Sequence, residues 1–267
     1  SRPPEHILAE ARLLADHGIQ ELLLSAQDTT DYGHDLGLKD GLAQLLEAIL
    51  SEVPELPWIR ILYAYPGYVT DRLIDVMAAN PRVLPYLDMP LQHASVSVLR
   101  AMHRPANMDW VYATIAKMRS RLPGLALRTT FIVGFPGETE HDFQTLLDFI
   151  QEIKFDHLGA FTFSFEEGTT SAPLGDPVPQ EVKDERLHRL MMLQENISLG
   201  INQTFIGKTL PVLIEGHQKN LSIGRSYRDA PEIDGLVLVD GKLPLGEIVN
   251  VQVTGAMVHD LTAHLLT

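Results

Sequence analysis

The chain has 267 residues, 45 % of them hydrophobic and 21 % charged, a composition that excludes disorder and collagen-like repeats. It carries 35 acidic and 21 basic side chains, for a net charge of −14, and no cysteine. The acidity argues against non-specific nucleic-acid binding and favours a basic partner. The absence of thiols excludes disulfides, zinc ribbons, thiol nucleophiles and an iron–sulfur cluster ligated by these residues. No apolar run approaches the roughly 20 residues of a bilayer span and no signal-peptide pattern opens the chain, so a soluble cytoplasmic protein without a membrane partner is expected.

The pattern begins with a helix over Pro4–His17, which gathers Ile7, Leu8, Ala11, Leu14 and Ala15 on one face and meets Gly18 where a C-cap would stand. Glu21–Ala26 is the first strand-like run. Trp58–Ala64, Tyr86–Leu91, Ala126–Val133 and Leu158–Ser164 follow at roughly the thirty-residue spacing of βαβ units. Between them Thr70 can cap Asp71–Ala79, Ser95 the helix carrying Val98, Leu99 and Met102, Asn107 can cap Met108–Arg121, and Thr139 can cap Glu140–Ile153, with Asp142 in its first turn. The repeat predicts a parallel α/β sheet, with too few strands for a closed eight-stranded barrel. The helix after Ser1-Arg2-Pro3 has no strand before it, so a barrel lacking its first strand is expected.

Asp176-Pro177-Val178-Pro179 interrupts this rhythm, and a long helix over about Gln180 to Phe205 follows. From Gly207 the texture changes to Thr209–Glu215, Leu236–Val239, Ile248–Val253 and Asp260–Leu266, separated by turn residues, which predicts a small antiparallel barrel. The division expected is 1–206 and 207–267. The first part holds 16 basic and 28 acidic residues (−12) and the tail 5 and 7 (−2), so the acidity lies on the α/β part.

Ligands of parallel βα folds bind at the C-terminal strand ends. There Gln27 and Asp28 offer an amide and a carboxylate to a ligand ammonium or hydroxyl, although Asp28 could equally cap its own turn. Tyr63, Tyr65 and Tyr68 could wall a pocket or pack the rim. Gln92 and His93 directly follow a buried-type strand. Arg128 and Thr130 share one strand face, where a buried cation calls for an anion such as a ligand carboxylate. Gly134-Phe135-Pro136-Gly137-Glu138 could bring backbone close to a ligand before a helix start. Glu166 and Glu167 could transfer protons, contact a basic substrate or form a solvated loop, and substrate contact is the reading adopted. No zinc-hydrolase spacing, Walker A loop or G-x-S-x-G elbow occurs.

In order, SAQDTTDYG, LYAYPGYVTDRLIDVM, LDMPLQHAS, RTTFIVGFPGETEHDF and FTFSFEEGTTSA resemble the radical S-adenosylmethionine methylthiotransferases. The later GRSYRDAPEIDG is similar to the RimO branch, which modifies ribosomal protein S-twelve, more than to the tRNA-modifying branch, and the tail resembles a TRAM domain. The resemblance implies a partial (βα)6 barrel followed by a TRAM β-barrel. It implies S-adenosylmethionine and, in the full-length parent, two [4Fe-4S] clusters, none of them ligated by this chain. The implied reaction is methylthiolation at the β-carbon of an aspartate on that basic ribosomal protein. On this resemblance Gln27 and Asp28 hold the methionyl amino group, Arg128 the carboxylate, and Gln92 and His93 the ribose region. Gly134, Phe135, Pro136, Gly137 and Glu138 cradle adenine or methionine, and Tyr65, Glu166 and Glu167 face the substrate. A monomer without strong nucleic-acid binding is expected. Two alternatives stand beside it: a tRNA methylthiotransferase, which the acidity opposes, and a cluster-free βα binding protein.

Overall fold

The computed structural model describes residues 1–266. Its first part runs α1 Pro4–Asp16, β1 Glu21–Leu24, α2 Gly41–Glu52, β2 Trp58–Ile61, α3 Asp71–Ala79 and β3 Val83–Asp88. It continues with α4 Val96–Ala101, α5 Met108–Arg121, β4 Ala126–Val133, α6 Glu140–Ile153, β5 His157–Thr162 and the long α7 Gln180–Gln203. The five strands form one sheet in sequence order, and every neighbouring pair is parallel. Parallel neighbours need crossovers, which the intervening helices supply. Sequence reasoning did not single out α2, although its Leu42, Leu45, Leu46 and Ile49 are all buried.

The caps explain where several helices begin. The Thr70 hydroxyl accepts from the Leu73 N–H, the Asn107 side chain from Trp110, and Thr139 and Asp142 form a reciprocal capping box. Ser95 occupies the N-cap of α4 but makes no capping bond, because its hydroxyl donates to Asp142 of α6 instead. Gly18, at φ 76°, follows the C-cap of α1 in the left-handed conformation.

Alternation along the strands gives the sheet two unequal faces. In β4, Leu127, Thr129, Phe131 and Val133 are fully buried against the helices, whereas Arg128, Thr130 and Ile132 on the opposite face keep some exposure. Phe131 meets Phe149 and Phe155 edge to face in the helix-side core. The inner face is therefore the one able to receive other groups.

The tail comprises β6 Thr209–Gln218, β7 Leu221–Ser226, β8 Val237–Asp240, β9 Ile248–Ala256 and β10 Leu261–Leu265, closed in the order β10-β8-β7-β6-β9. Sequence reasoning missed β7, whose Gly224 and Arg225 weaken its strand signal. Four pairs are antiparallel and β10–β8 is parallel. A closed ring with an odd number of strands cannot alternate direction throughout, so one parallel pair is unavoidable.

Residues 227–235, between β7 and β8, plug the N-terminal end of the parallel sheet. Trp58, Leu84, Tyr86 and Ala126 on the inner face pack with Leu213 and Ala230 of the tail. Around this apolar contact runs a buried ionic network. Arg60, with no exposed surface, donates to Glu21 (2.6 Å) and to the Tyr227 carbonyl (2.8 Å). Arg225 donates to Glu21 (2.6 Å) and to Glu215, and Arg228 pairs with Asp156 and Asn202.

Candidate functional site

At the C-terminal ends of β3, β4 and β5 the inner face opens into a cavity of about 520 Å³. Gln92, Thr130 and Ile132 lie at its base, and Phe135 and Phe163 pack edge to face in its wall (5.1 Å between ring centroids). Among the described residues Arg104 is the sole charged side chain lining it. A smaller recess of about 50 Å³ shares Gln92 and Arg104 and extends to Tyr65 and Trp110.

The chain positions these groups locally. Gln92, at φ 68°, donates its N–H to the Thr130 carbonyl (2.9 Å) and accepts from Ile132 (2.8 Å), which pins it beside β4. After α4, His103 turns left-handed (φ 54°), and the Arg104 N–H donates back to the Leu99 carbonyl (2.8 Å). The Arg104 guanidinium has no ion-pair partner among the described residues and is exposed at the cavity, so it can take a carboxylate or phosphate. Sequence reasoning passed over Arg104, which sits in a short polar connection before Pro105 with no periodicity to mark it.

Other expected site residues are placed differently. Arg128 lies in the first half of β4, bonded to Asp88 (2.9 Å) and 3.3 Å from Asp234 of the plug. Burial acts to lower its pKa, but the adjacent Asp88 outweighs this and raises it. Its anion is thus supplied by the fold, and the carboxylate-binding role assigned to Arg128 does not match this geometry. Burial in turn pushes Asp88 up, with Arg128 opposing.

His93 has no exposed surface, and its Nδ1 accepts from the Ser95 N–H (2.9 Å). Burial lowers its pKa to about 4, so the ring is neutral at pH 7. It faces Glu138 across 3.8 Å in the interior and borders the smaller recess beside Gln92, but not the main cavity. Glu138 accepts from the Gly134 N–H (2.6 Å) and the Phe135 N–H (3.2 Å) and pairs with Arg186 of α7 (3.0 Å). Its pKa is raised by burial against the pull of Arg186. The two backbone donors expected to cradle a ligand are therefore taken by a side chain. Gly134 is required for another reason: it has φ 73°, and a Cβ there would lie 2.4 Å from Cγ of the buried Lys183. Gly137 (φ 89°) has open space around it and serves the turn, beside the buried Pro136. Of this segment, only the Phe135 ring lines the main cavity.

At the first strand end Asp28 accepts from the N–H and hydroxyl of Thr30 and from the Asp31 N–H, so its carboxylate closes its own turn. Gln27 beside it is exposed. Tyr65 is half-buried against Tyr68 (5.7 Å), with its pKa raised chiefly by burial. Glu166 and Glu167 are both exposed beyond β5. The structure thus brings Gln92 and Phe135 together with Arg104 and Thr130, sets Tyr65 and His93 beside them at the recess, and disperses the remainder.

A parallel βα sheet with its cavity at the C-terminal strand ends, followed by a small barrel, defines a class, and the family models agree. The Radical SAM superfamily model matches residues 1–150 and the TRAM domain model 206–266, and the chain belongs to the radical SAM superfamily. Along its length it is similar to proteins named ribosomal protein uS12 methylthiotransferase RimO. Identity is 49 % to that of Chloroflexus aurantiacus (100 % of this chain, 60 % of the relative), and 52 % to that of Heliobacterium modesticaldum (98 % and 57 %). The protein of Synechocystis sp. is also 52 % identical (98 % and 59 %). The chain spans about 60 % of the length of these relatives. Among solved structures, coproporphyrinogen III oxidase (HemN) from Escherichia coli, described as a radical SAM enzyme, superposes with a TM-score of 0.52 at 11 % identity, over 81 % of this chain and 58 % of that one. At that identity the likeness is one of fold. No helix among the described residues is long and apolar enough to cross a membrane.

Proposed function

We propose that this chain is the cofactor-binding barrel and tail of a methylthiotransferase acting on an aspartate of ribosomal protein uS12. The observation that carries the reading is the near-50 % identity, over essentially the whole chain, to relatives bearing that name. Division near residue 206 into a cofactor barrel and a TRAM-like tail follows from the same reading, as do a monomer and a cytoplasmic location.

The cavity suits S-adenosylmethionine. Its volume lies in the range of about 300–1,000 Å³ usual for small-ligand sites. Ile132, Phe135 and Phe163 offer an apolar slot for a purine. Gln92 and Thr130 offer hydrogen bonds to ribose hydroxyls or an amino group. Arg104, which has no ion-pair partner among the described residues, offers a cation to the carboxylate, whereas Arg128 is already paired with Asp88 and Asp234. An iron–sulfur cluster is a different matter: it needs thiolates, and this chain's residues supply none. When bound beside a reducing cluster, S-adenosylmethionine supplies a carbon radical, the reagent that an unactivated C–H bond requires. The chain's own residues bind and orient that cofactor and shield it from water with the Phe135 and Phe163 wall. The acidic barrel attracts a basic protein and repels nucleic-acid phosphate.

The test is to exchange this chain for the matching segment of the Chloroflexus aurantiacus relative and supply uS12. Mass spectrometry should then show one added methylthio group on an aspartate. Unmodified uS12, from a chimera that still binds S-adenosylmethionine, would overturn the reading.

A further inference from the structure

Among the described residues β5 pairs only with β4, so no further strand lies beside it in the parallel sheet. A free edge carries unpaired N–H and C=O groups and is a template for an added strand. β5 has six residues, all at least partly exposed, and Phe161 is 62 % exposed. α7 runs beside it, bonding the carbonyls of Phe155, Asp156 and Phe163 at its two ends, and the tail holds His157 through the Arg228 carbonyl, so the open stretch is the middle and end of the strand.

The β5 edge also connects two cavities. Its end, from Phe161 to Ser164, lines the 520 Å³ cofactor cavity. Its start, from His157 to Gly159, lines a separate cavity of about 350 Å³ with Gln194, His259 and the paired Arg128 and Asp234. Gln194 is only 2 % exposed. Its Nε2 donates to the Phe155 carbonyl (2.8 Å), while its Oε1 has no partner. A buried acceptor beside a cavity is short of a donor that a ligand can bring. Beyond the end of β5, Glu166 and Glu167 stand exposed, and the barrel to which they belong carries −12.

We propose that β5 is the docking edge for the protein substrate. An extended basic segment of the ribosomal protein lies beside β5 as a sixth strand, delivers its target side chain to the cavity at the end of β5, and places a hydrogen-bond donor in the cavity at its start. This rests on the uS12 reading and adds where the substrate lies and in what conformation. Main-chain pairing fixes the depth at which a side chain enters the cavity, which is the positioning that hydrogen abstraction demands. The acidic loop beyond β5 supplies charge complementarity to a basic segment.

The experiment adds recombinant uS12 to the protein without cofactor and follows amide hydrogen exchange. Protection of residues 157–162, with affinity that falls as salt rises, is expected. Phe161→Lys sets a like charge on the edge and should weaken uS12 about tenfold or more without lowering the melting temperature. If that variant does not fold, Glu166→Lys with Glu167→Lys provides the same comparison from the loop. Bound uS12 with protection confined to the tail barrel, or folded variants with unchanged affinity, overturns edge docking and leaves the uS12 reading intact. No binding of uS12 at all overturns both.

Discussion

The two ends of the parallel sheet use similar residues for opposite purposes. At the N-terminal end Arg60 and Arg225 are buried and Arg128 is partly so, and each meets a carboxylate, partly from the tail's own loop. At the C-terminal end Arg104 stands beside a cavity without a counterion among the described residues. A buried charge without a partner is costly, so a closed end must bring its own anions, whereas an open end can leave a cation for a ligand. An arginine on a strand is thus no sign of a binding site until its partner is known.

The sharpest way to break this comparison is at the closed end. Arg60→Ala removes one of the two arginine partners of the buried Glu21, leaving Arg225, together with the bonds to the Tyr227 and Ser226 carbonyls, and should cost about 3 kcal/mol in chemical denaturation; a loss near zero would show the network to be dispensable. Next comes a crossed pair. Arg128→Ala should cost about 3 kcal/mol, since it leaves Asp88 and Asp234 facing each other, and any change in cofactor affinity should follow from that loss. Arg104→Ala should lower S-adenosylmethionine affinity about tenfold in calorimetry and change stability by no more than about 0.5 kcal/mol. The reverse pattern would exchange the two roles.

A smaller effect comes from His93. With its pKa near 4 in the fold and near 6.5 when unfolded, the unfolded chain binds the extra proton between those values. Stability from this group is complete above pH 6.5 and is lost as pH falls toward 4, by about 2–3 kcal/mol. Comparison of urea midpoints at pH 7 and pH 5 should show a flatter dependence in His93→Gln than in the parent. The smallest pair is glycine to alanine. Gly134→Ala, which meets Lys183, should cost about 2 kcal/mol, and Gly137→Ala only about 1 kcal/mol, the strain of a positive φ without a clash. Equal costs would remove the Lys183 explanation.

Much of the fold is legible in the sequence because its signals are local. Strand spacing, the Thr70, Asn107 and Thr139 caps and the left-handed Gly18 each involve neighbours a few residues apart. The site is legible only in part. Gln92 and Phe135 stand where strand-end reasoning puts them, because the ends of parallel strands converge whatever their side chains. Asp28, His93, Arg128 and Glu138 have the right chemistry in the right segments, yet each is occupied by another group.

The sequence by itself determined the alternating α/β pattern, the change of texture near residue 207, the acidic balance and the absence of thiol ligands. Only the tertiary structure decided which charges remain free. Asp234 reaches Arg128 from the tail and Arg186 reaches Glu138 from α7, whereas nothing among the described residues reaches Arg104. Pairing is a long-range contact, and no local pattern in the chain encodes it.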